Sequence, residues 1–352
     1  MSPAGGGVET IADERLAEAL REALAPARAD ADAPLRLARR RSPHRSTFPL
    51  EELQVELAEA GESRIAFKRL RWERADRRFA RPSFLFDPLR EPEVYRSVLP
   101  RAPAGPPRFI ACVQADEREA WLFLEWVEGR ELCQVGELSA WKEAARWLGK
   151  LHAALAGERE RHAARARLLE HDAAYYRGWL ERALGFATEA GPAGAVGPAG
   201  AGGGAAEAGR AGEAARFLEG LGERYGEVVQ ALLALPRTVI HGDFHASNVL
   251  VGGEPGALRV APVDWELAAH GPGLIDLAAL VSGGWSDEER AEMARAYAGA
   301  AGLAGVSPQE LDLARLHLAV QWLGWARDWQ PPPEQRRDWL AEAQEIAARL
   351  GL

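Results

Sequence analysis

Apolar positions change their period once along this chain, and the change divides it. Near the start, Ile11, Leu16, Leu20 and Leu24 recur at helical spacing and predict a helix over 9–25, followed by a linker over 26–33. From there to residue 127 the apolar residues come in short or alternating runs: LRLARRR (35–41), LQVELAE (53–59), RIAFKRL (64–70), RFIACVQ (108–114) and AWLFLEWV (120–127). The breakers SPHRS, AGES and APAGPP fall between them. One segment, LREPEVYRSVL (89–99), reads as helix instead. The pattern predicts an antiparallel sheet of about five strands carrying one helix.

After Gly129 the period becomes helical. SAWKEAARWLGKLHAAL (139–155) places Trp147, Leu148, Leu151 and Leu155 on one stripe, with Ser139 as the expected N-cap. Further helices are expected at 159–185, at 211–234 and from 274 to the end. Between the first two, residues 189–209 are nearly all Gly, Ala and Pro and predict a disordered insertion, because such a segment has too little to bury. The expected architecture is α+β: an N-terminal helix and linker (1–33), a sheet-rich lobe (34–128) and a larger helical lobe (129–352).

One stretch of the helical lobe breaks the pattern. In TVIHGDFHASNVLV (238–251), His241, Asp243, His245, Ser247 and Asn248 stand between two apolar runs. Buried polar groups are costly unless paired, so this is either a satisfied turn or a reaction centre. NVLV (248–251), a turn over 252–257 and LRVAPVDW (258–265) read as a β-hairpin. An antiparallel hairpin sets the start of its first strand beside the end of its second, so Asn248 and Asp264 arrive at one edge. An amide oxygen and a carboxylate there suit a hard cation such as Mg²⁺, which takes one or two protein oxygens. Asp243, on the loop leading into that edge, is placed to accept a proton from an attacking hydroxyl.

HGDFHASN matches the spacing H-x-D-x-x-x-x-N of the kinase catalytic loop. Together with VDWE (263–266) and HGPGLIDLAAL (270–280), it resembles the aminoglycoside phosphotransferase-like family of small-molecule kinases. Other segments follow in that family's order. IAFKRL resembles the strand whose lysine holds ATP phosphates, which implies that role for Lys68. REPEVYRSVLP resembles the helix whose glutamate pairs that lysine, pointing to Glu91, with Glu93 as the alternative. LFLEWVEG resembles the interlobe hinge, whose backbone at Glu125 to Val127 would meet adenine, and WLGKLHA resembles the helix beneath the catalytic loop. The resemblance implies a bilobed protein-kinase-like fold and a catalytic hairpin over 238–265. Asp243 would be the catalytic base, Asn248 and Asp264 the metal ligands, and His241 and Asp276 the structural support of the loop. No glycine-rich loop precedes Lys68; the backbone near Ser46 and Thr47, helped by Arg45, is the expected cover of the triphosphate.

Composition sharpens this picture in three places. Of 43 basic residues only Lys68, Lys142 and Lys150 are lysines, so a lysine in mid-strand asks for a reason. A net charge of −9 disfavours nucleic acid as a partner. Cys112 and Cys133 form no metal spacing, no apolar run approaches the ~18 residues of a membrane span, and the N-terminus is not a signal peptide. A cytoplasmic protein with no membrane partner is expected. His241 and His245 have the spacing of a helical zinc pair, but Gly242 and the following strand oppose a helix there. Trp322, Trp325 and Trp329 share a helical face and read as core or as an aromatic wall. With Trp285, Asp287, Glu288, Glu289 and Asp328 they suit a cationic or sugar-like acceptor.

The expected function is therefore an ATP- and Mg²⁺-dependent phosphotransferase acting on a hydroxyl of a small molecule: an aminoglycoside, another antibiotic, a sugar or an amino alcohol. Two other readings remain: a non-catalytic nucleotide-binding regulator of the same fold, and a metal-dependent hydrolase. Intact Lys68, Asp243, Asn248 and Asp264 oppose the first, and a hydrolase would have no use for Lys68 or the hinge.

Overall fold

The alternation of the first half is realised as a single five-stranded antiparallel sheet. A computed structural model describes residues 11–24, 35–42, 48–57, 61–72, 82–157, 167–189, 205–253, 258–325 and 337–352. Ser46, Thr47 and Arg45, Asp328 and Trp329, most of the 189–209 insertion and much of the 252–257 turn lie outside the described residues. By its contacts the chain forms two compact units, 1–75 with 107–127, and 76–106 with 128–352.

In the first unit, β1 (Leu35–Arg41), β2 (Leu50–Leu57), β3 (Gly61–Arg71), β4 (Phe109–Asp116) and β5 (Glu119–Glu125) lie in the order β1-β2-β3-β5-β4. Helix α1 (Asp13–Leu24) is shorter than the expected 9–25 and covers one face. Its Leu16 and Leu20 pack with Leu53, Val55, Ile65, Phe67, Trp121 and Phe123. Because side chains alternate along a strand, burying Ile65 and Phe67 against α1 turns Lys68 to the other face. Lys68 sits opposite Leu50 and Leu122 in the ladder. Of the three lysines it is the buried one: Lys142 pairs with Glu292 at 2.7 Å, and Lys150 is exposed.

The second unit is largely helical. The segment expected as the sheet lobe's helix is α2 (Arg90–Ser97); it packs on the short turn Trp265–Leu267 and belongs by its contacts to this unit. Helix α3 (Leu138–Ala154) buries Trp147, Leu148 and Leu151 as expected, but begins one residue earlier. Its N-cap position is Glu137 with no side-chain cap, so the expected cap at Ser139 is wrong. At Gly149 α3 meets α7 (Asp287–Ala301) so closely that a Cβ would lie 2.4 Å from the Tyr297 carbonyl oxygen.

Of the helix expected over 159–185, residues 159–166 lie outside the described residues, Leu169–Glu170 form strand β7, and Ala173–Glu189 form helix α4. Helix α5 (Ala205–Ala234) begins inside the segment expected to be disordered, so residues 205–209 are helix instead. Alanine is the best helix former, and AAEA at 205–208 propagates the helix backward from 211. The remaining helices are α6 (Leu274–Leu280), α8 (Pro308–Leu323) and α9 (Trp339–Leu350).

Two small sheets carry the polar stretch. Strands β6 (Arg130–Glu131), β9 (Val249–Gly252) and β10 (Arg259–Pro262) form one, in the order β10-β9-β6. Strands β7, β11 (Ala269–Pro272) and β8 (Arg237–Ile240) form the other, in the order β7-β11-β8. The expected hairpin is β9–β10, antiparallel from Val249 with Pro262 to Gly252 with Arg259. Among the described residues no helix is long and apolar enough to cross a membrane.

Candidate active site

The site is built on the loop between β8 and β9, and one buried carboxylate fixes that loop. Asp276, in the first turn of α6, is fully buried. Its two oxygens accept the backbone N–H of His241 at 2.7 Å and of Gly242 at 2.9 Å. His152 on α3 adds Nε2 at 3.2 Å. The carboxylate can only accept, so this nitrogen donates, and Nδ1 lies 2.9 Å from the Tyr297 hydroxyl. Thr238 donates to the His152 carbonyl at 3.0 Å, tying α3 to β8. Gly242 has φ +79°, and a Cβ there would meet the Leu267 carbonyl oxygen at 2.1 Å, so the sharp turn after His241 requires glycine.

His241 is a brace. Its Nε2 donates to the Val263 carbonyl at 2.9 Å, and its Nδ1 accepts from the Asp243 N–H at 3.3 Å. Burial lowers its pKa, against the opposing pull of Asp276 and Asp243, and the neutral ring is the form these bonds need. One brace therefore joins the Asp243 loop to the end of β10.

Asn248 closes the short turn Ala246–Asn248 rather than opening β9, and Asp264 lies two residues beyond β10. They still share an edge: the Asn248 carbonyl accepts the Val263 N–H at 2.9 Å. The Asn248 amide nitrogen donates to Asp243 Oδ2 at 2.9 Å and to the Asp243 carbonyl at 3.0 Å. These bonds hold the Asp243 carboxylate and use the amide nitrogen of Asn248, not its oxygen. Asp264 has φ 67° and ψ 58°, a left-handed conformation costly for a residue with a side chain. Among the described residues no three of His, Cys, Asp and Glu gather to hold a metal, which leaves the zinc reading of His241 and His245 without a site. The hard oxygens of Asn248 and Asp264 fit Mg²⁺, which needs no larger protein cage.

The geometry of α2 separates Glu91 from Glu93. Glu91 is 1% exposed, whereas Glu93 forms a surface pair with Arg96 one turn along. Arg90, which the sequence reading missed, anchors this helix: it donates to the carbonyls of Leu85 at 2.8 Å, Glu266 at 2.6 Å and Arg167 at 2.8 Å. Tyr95, one turn beyond Glu91, is buried and its hydroxyl has no hydrogen-bond partner among the described residues. Burial first, then the charges of Glu91 and Asp264, push its pKa well up. In the sheet unit, the N–H groups of Glu125 and Trp126 donate to Arg108 and Arg64 carbonyls at 2.9 Å and 3.2 Å.

Aromatic residues flank Asp243, and sequence reasoning found only part of them. His245 Nε2 is 3.7 Å from Asp243 Oδ1, and burial lowers its pKa to about 4. Its ring meets Trp322 edge to face at 5.4 Å. The Asp243 charge also raises the pKa of Tyr175 on α4, behind burial as the main cause. Trp325 stacks on the fully buried Trp179 at 5.5 Å and packs with Leu85 and Leu267, which makes it core. Three of the expected acidic partners, Asp287, Glu288 and Glu289, are engaged elsewhere. Glu289 forms a capping box with Ser286, Asp287 pairs with Arg290 while mostly exposed, and Glu288 pairs with Arg295 at the surface.

A family model described as "Phosphotransferase enzyme family" matches residues 89–318. A comparison with curated proteins finds no match. Among solved structures, wild-type aminoglycoside 2'-phosphotransferase-IIIa in its GDP complex superposes with TM-score 0.52 at 13% identity, over 95% of this chain and 97% of that one. Plasmodium vivax ethanolamine kinase gives 0.54 at 12%, over 92% and 83%. Choline kinase from Cryptosporidium parvum Iowa II gives 0.53 at 14%, over 96% and 94%. At such identities the likeness concerns the fold, which is α+β and protein-kinase-like.

Proposed function

The chain belongs to the phosphotransferase enzyme family, and on that premise we propose that it transfers the γ-phosphoryl group of ATP to a hydroxyl of a small molecule with Mg²⁺ as cofactor. The observation that carries this reading is the braced loop. Asp276 and His241 hold the backbone around Asp243, and the Asn248 amide orients the Asp243 carboxylate.

Asp243 orients the acceptor hydroxyl and takes its proton as the oxygen attacks the γ-phosphorus. The bond from that phosphorus to the ADP oxygen breaks as the new one forms, and ADP leaves with the displaced electron pair. Asn248 Oδ1 and the Asp264 carboxylate are the proposed ligands of Mg²⁺, which supplies charge neutralisation on the phosphates when bound. Lys68 and Glu91 each keep, as proposals, the roles that the resemblance implies for them. With the Glu125 and Trp126 N–H groups engaged, Val127 is the proposed donor to the adenine edge. Catalysis is then mainly positioning and charge stabilisation.

Asp243→Asn and Asp264→Asn separate these roles. Asp243→Asn is expected to cut turnover by at least about 100-fold, the scale of general base loss, while leaving Mg²⁺-dependent ATP binding nearly intact. Asp264→Asn is expected to weaken that binding itself. Calorimetric titration with ATP at fixed Mg²⁺, beside transfer of label from γ-labelled ATP to a panel of small alcohols, reads both. Near-full turnover of Asp243→Asn at saturating acceptor would remove Asp243 as the base.

A further inference from the structure

We propose that His245 is a second catalytic residue: its Nε2–H donates a hydrogen bond to the acceptor oxygen while Asp243 takes that oxygen's proton. The inference rests on the reading of Asp243 as the base and assigns the group that faces it.

The two histidines of the loop are bonded differently. His241 is fully buried and spends both ring nitrogens on the backbone, Nε2 on the Val263 carbonyl and Nδ1 on the Asp243 N–H. Among the described residues the His245 ring forms no such bond, and its Nε2 stands 3.7 Å from Asp243 Oδ1. The His245 and Asp243 side chains are 18% and 26% exposed, so the pair borders solvent.

The loop holds both groups still. The His245 N–H donates to the Asp243 carbonyl at 2.8 Å, and the Asn248 N–H donates to the His245 carbonyl at 2.8 Å. The His245 ring lies edge to face on Trp322 at 5.4 Å, and Trp322 stacks on Trp339 at 5.5 Å. At the carboxylate, the Asn248 amide donates to Oδ2 at 2.9 Å. Asp243 thus presents Oδ2 to a fixed donor and Oδ1 to His245.

A separation of 3.7 Å is too long for a direct hydrogen bond. It suits one oxygen between the two groups: an atom about 2.8 Å from each would make both bonds at roughly a right angle. A carboxylate beside a ring nitrogen favours the form with the proton on that nitrogen, so Nε2 is the donor and Oδ1 the acceptor. An alcohol oxygen has one proton and two lone pairs. With the proton on Oδ1 and one lone pair on Nε2–H, the second lone pair is left for phosphorus and its direction is set. As that pair attacks, the proton passes to Oδ1, the bond from phosphorus to the ADP oxygen breaks, and ADP leaves with its electrons. His245 keeps its own proton throughout. The arrangement favours a hydroxyl over an ammonium group, which has no lone pair for Nε2–H to meet.

Water is the probe, because it brings the same oxygen whatever body the natural acceptor has. Release of labelled phosphate from γ-labelled ATP with Mg²⁺ is measured beside ATP–Mg²⁺-dependent thermal stabilisation. His245→Leu removes the donor and is expected to slow release at least about tenfold, the scale of one lost hydrogen bond. His245→Gln can return an N–H near the place of Nε2 and should recover part of the rate. Both should keep the nucleotide shift, which also shows that they fold. In Asp243→Asn, adding His245→Leu should slow the residual release again. An unchanged rate in His245→Leu, equal rates in His245→Leu and His245→Gln, or no further loss in the double variant overturns the contact with the acceptor oxygen. So does loss of the nucleotide shift in His245→Leu, which would make the ring a structural support, or an unmodified protein that binds ATP–Mg²⁺ and releases no phosphate. Loss of the nucleotide shift in the unmodified protein strikes the phosphotransferase reading instead.

Discussion

Asp276→Asn removes one charge and changes almost no volume, so it isolates what the buried carboxylate does for the catalytic loop. The native oxygens accept two backbone N–H groups at 2.7 Å and 2.9 Å, and one of them also meets His152. Hydrogen bonds to a charged group contribute about 1.5–3 kcal/mol each, and neutral ones about 1. The amide keeps one acceptor oxygen and presents an NH₂ to a donor. One backbone bond thus survives in weaker form, and the other N–H is left buried without an acceptor, at about 1–3 kcal/mol. The sum is a loss of about 4 kcal/mol, a large share of the ~5–15 kcal/mol that holds a folded protein together. Urea unfolding should show the midpoint falling with the slope unchanged. At low temperature, where the variant remains folded, turnover should fall because Asp243 loses its brace, with nucleotide affinity less affected. A loss below about 1 kcal/mol at unchanged slope would show that Asp276 does not carry the loop, and that the dense bonding around it is incidental.

Two further outcomes follow from the same geometry. Arg90→Met should destabilise the protein by about 2–5 kcal/mol, since three carbonyls, two of them in buried bonds, lose their donor, and should raise the KM for ATP by loosening the helix that carries Glu91; a stability loss with an unchanged KM would uncouple α2 from nucleotide binding. Burial lowers the pKa of His317 from 6.5 to about 3, below its unfolded value, so its contribution to stability is intact above pH 6.5 and is lost as pH falls toward 3. The slope is about 1.4 kcal/mol per pH unit, and His317→Asn should flatten the denaturation-versus-pH curve by that amount between about pH 6 and 4; an unaltered slope would mean that His317 titrates normally.

Much of this was legible in the sequence because it is local. Strand runs and breakers gave the five-stranded sheet, and the alternation of Ile65, Phe67 and Lys68 already set the lysine on the face away from α1. Hairpin logic brought Asn248 and Asp264 to one edge although both lie just outside the strands. What failed is non-local or depends on weak propensity. Leu169–Glu170 is a strand only because β11 lies beside it, and a two-residue run carries no period of its own. The alanines at 205–208 share their composition with the insertion and differ only in leading directly into the helix that draws them in. Arg90 reads as one more surface arginine until the carbonyls of three separate segments converge on it. Tyr95 and Tyr175 gain their significance from Asp264 and Asp243, both distant in sequence.

The misread charge beyond Asp276 has a different cause, because the correcting signal was present in the sequence. SDEE (286–289) was taken as acidic decoration of an acceptor site, yet Ser followed three residues later by Glu is the signature of a helix start. The structure forms that capping box at Ser286 and Glu289 and repeats it at Ser307 and Glu310. Acidic residues in a first helical turn complement the helix dipole, so their presence reports where a helix begins and says little about a ligand. The arginines obey the opposite logic. A guanidinium is expensive to bury, and a surface pair would serve helix packing as well. Arg315 and Arg349 meet Asp312, Glu342 and Glu345, pairs that join α8 to α9 and offset that cost. A net charge of −9 does not reveal them, because it sums the charges of the whole chain without saying which of them meet.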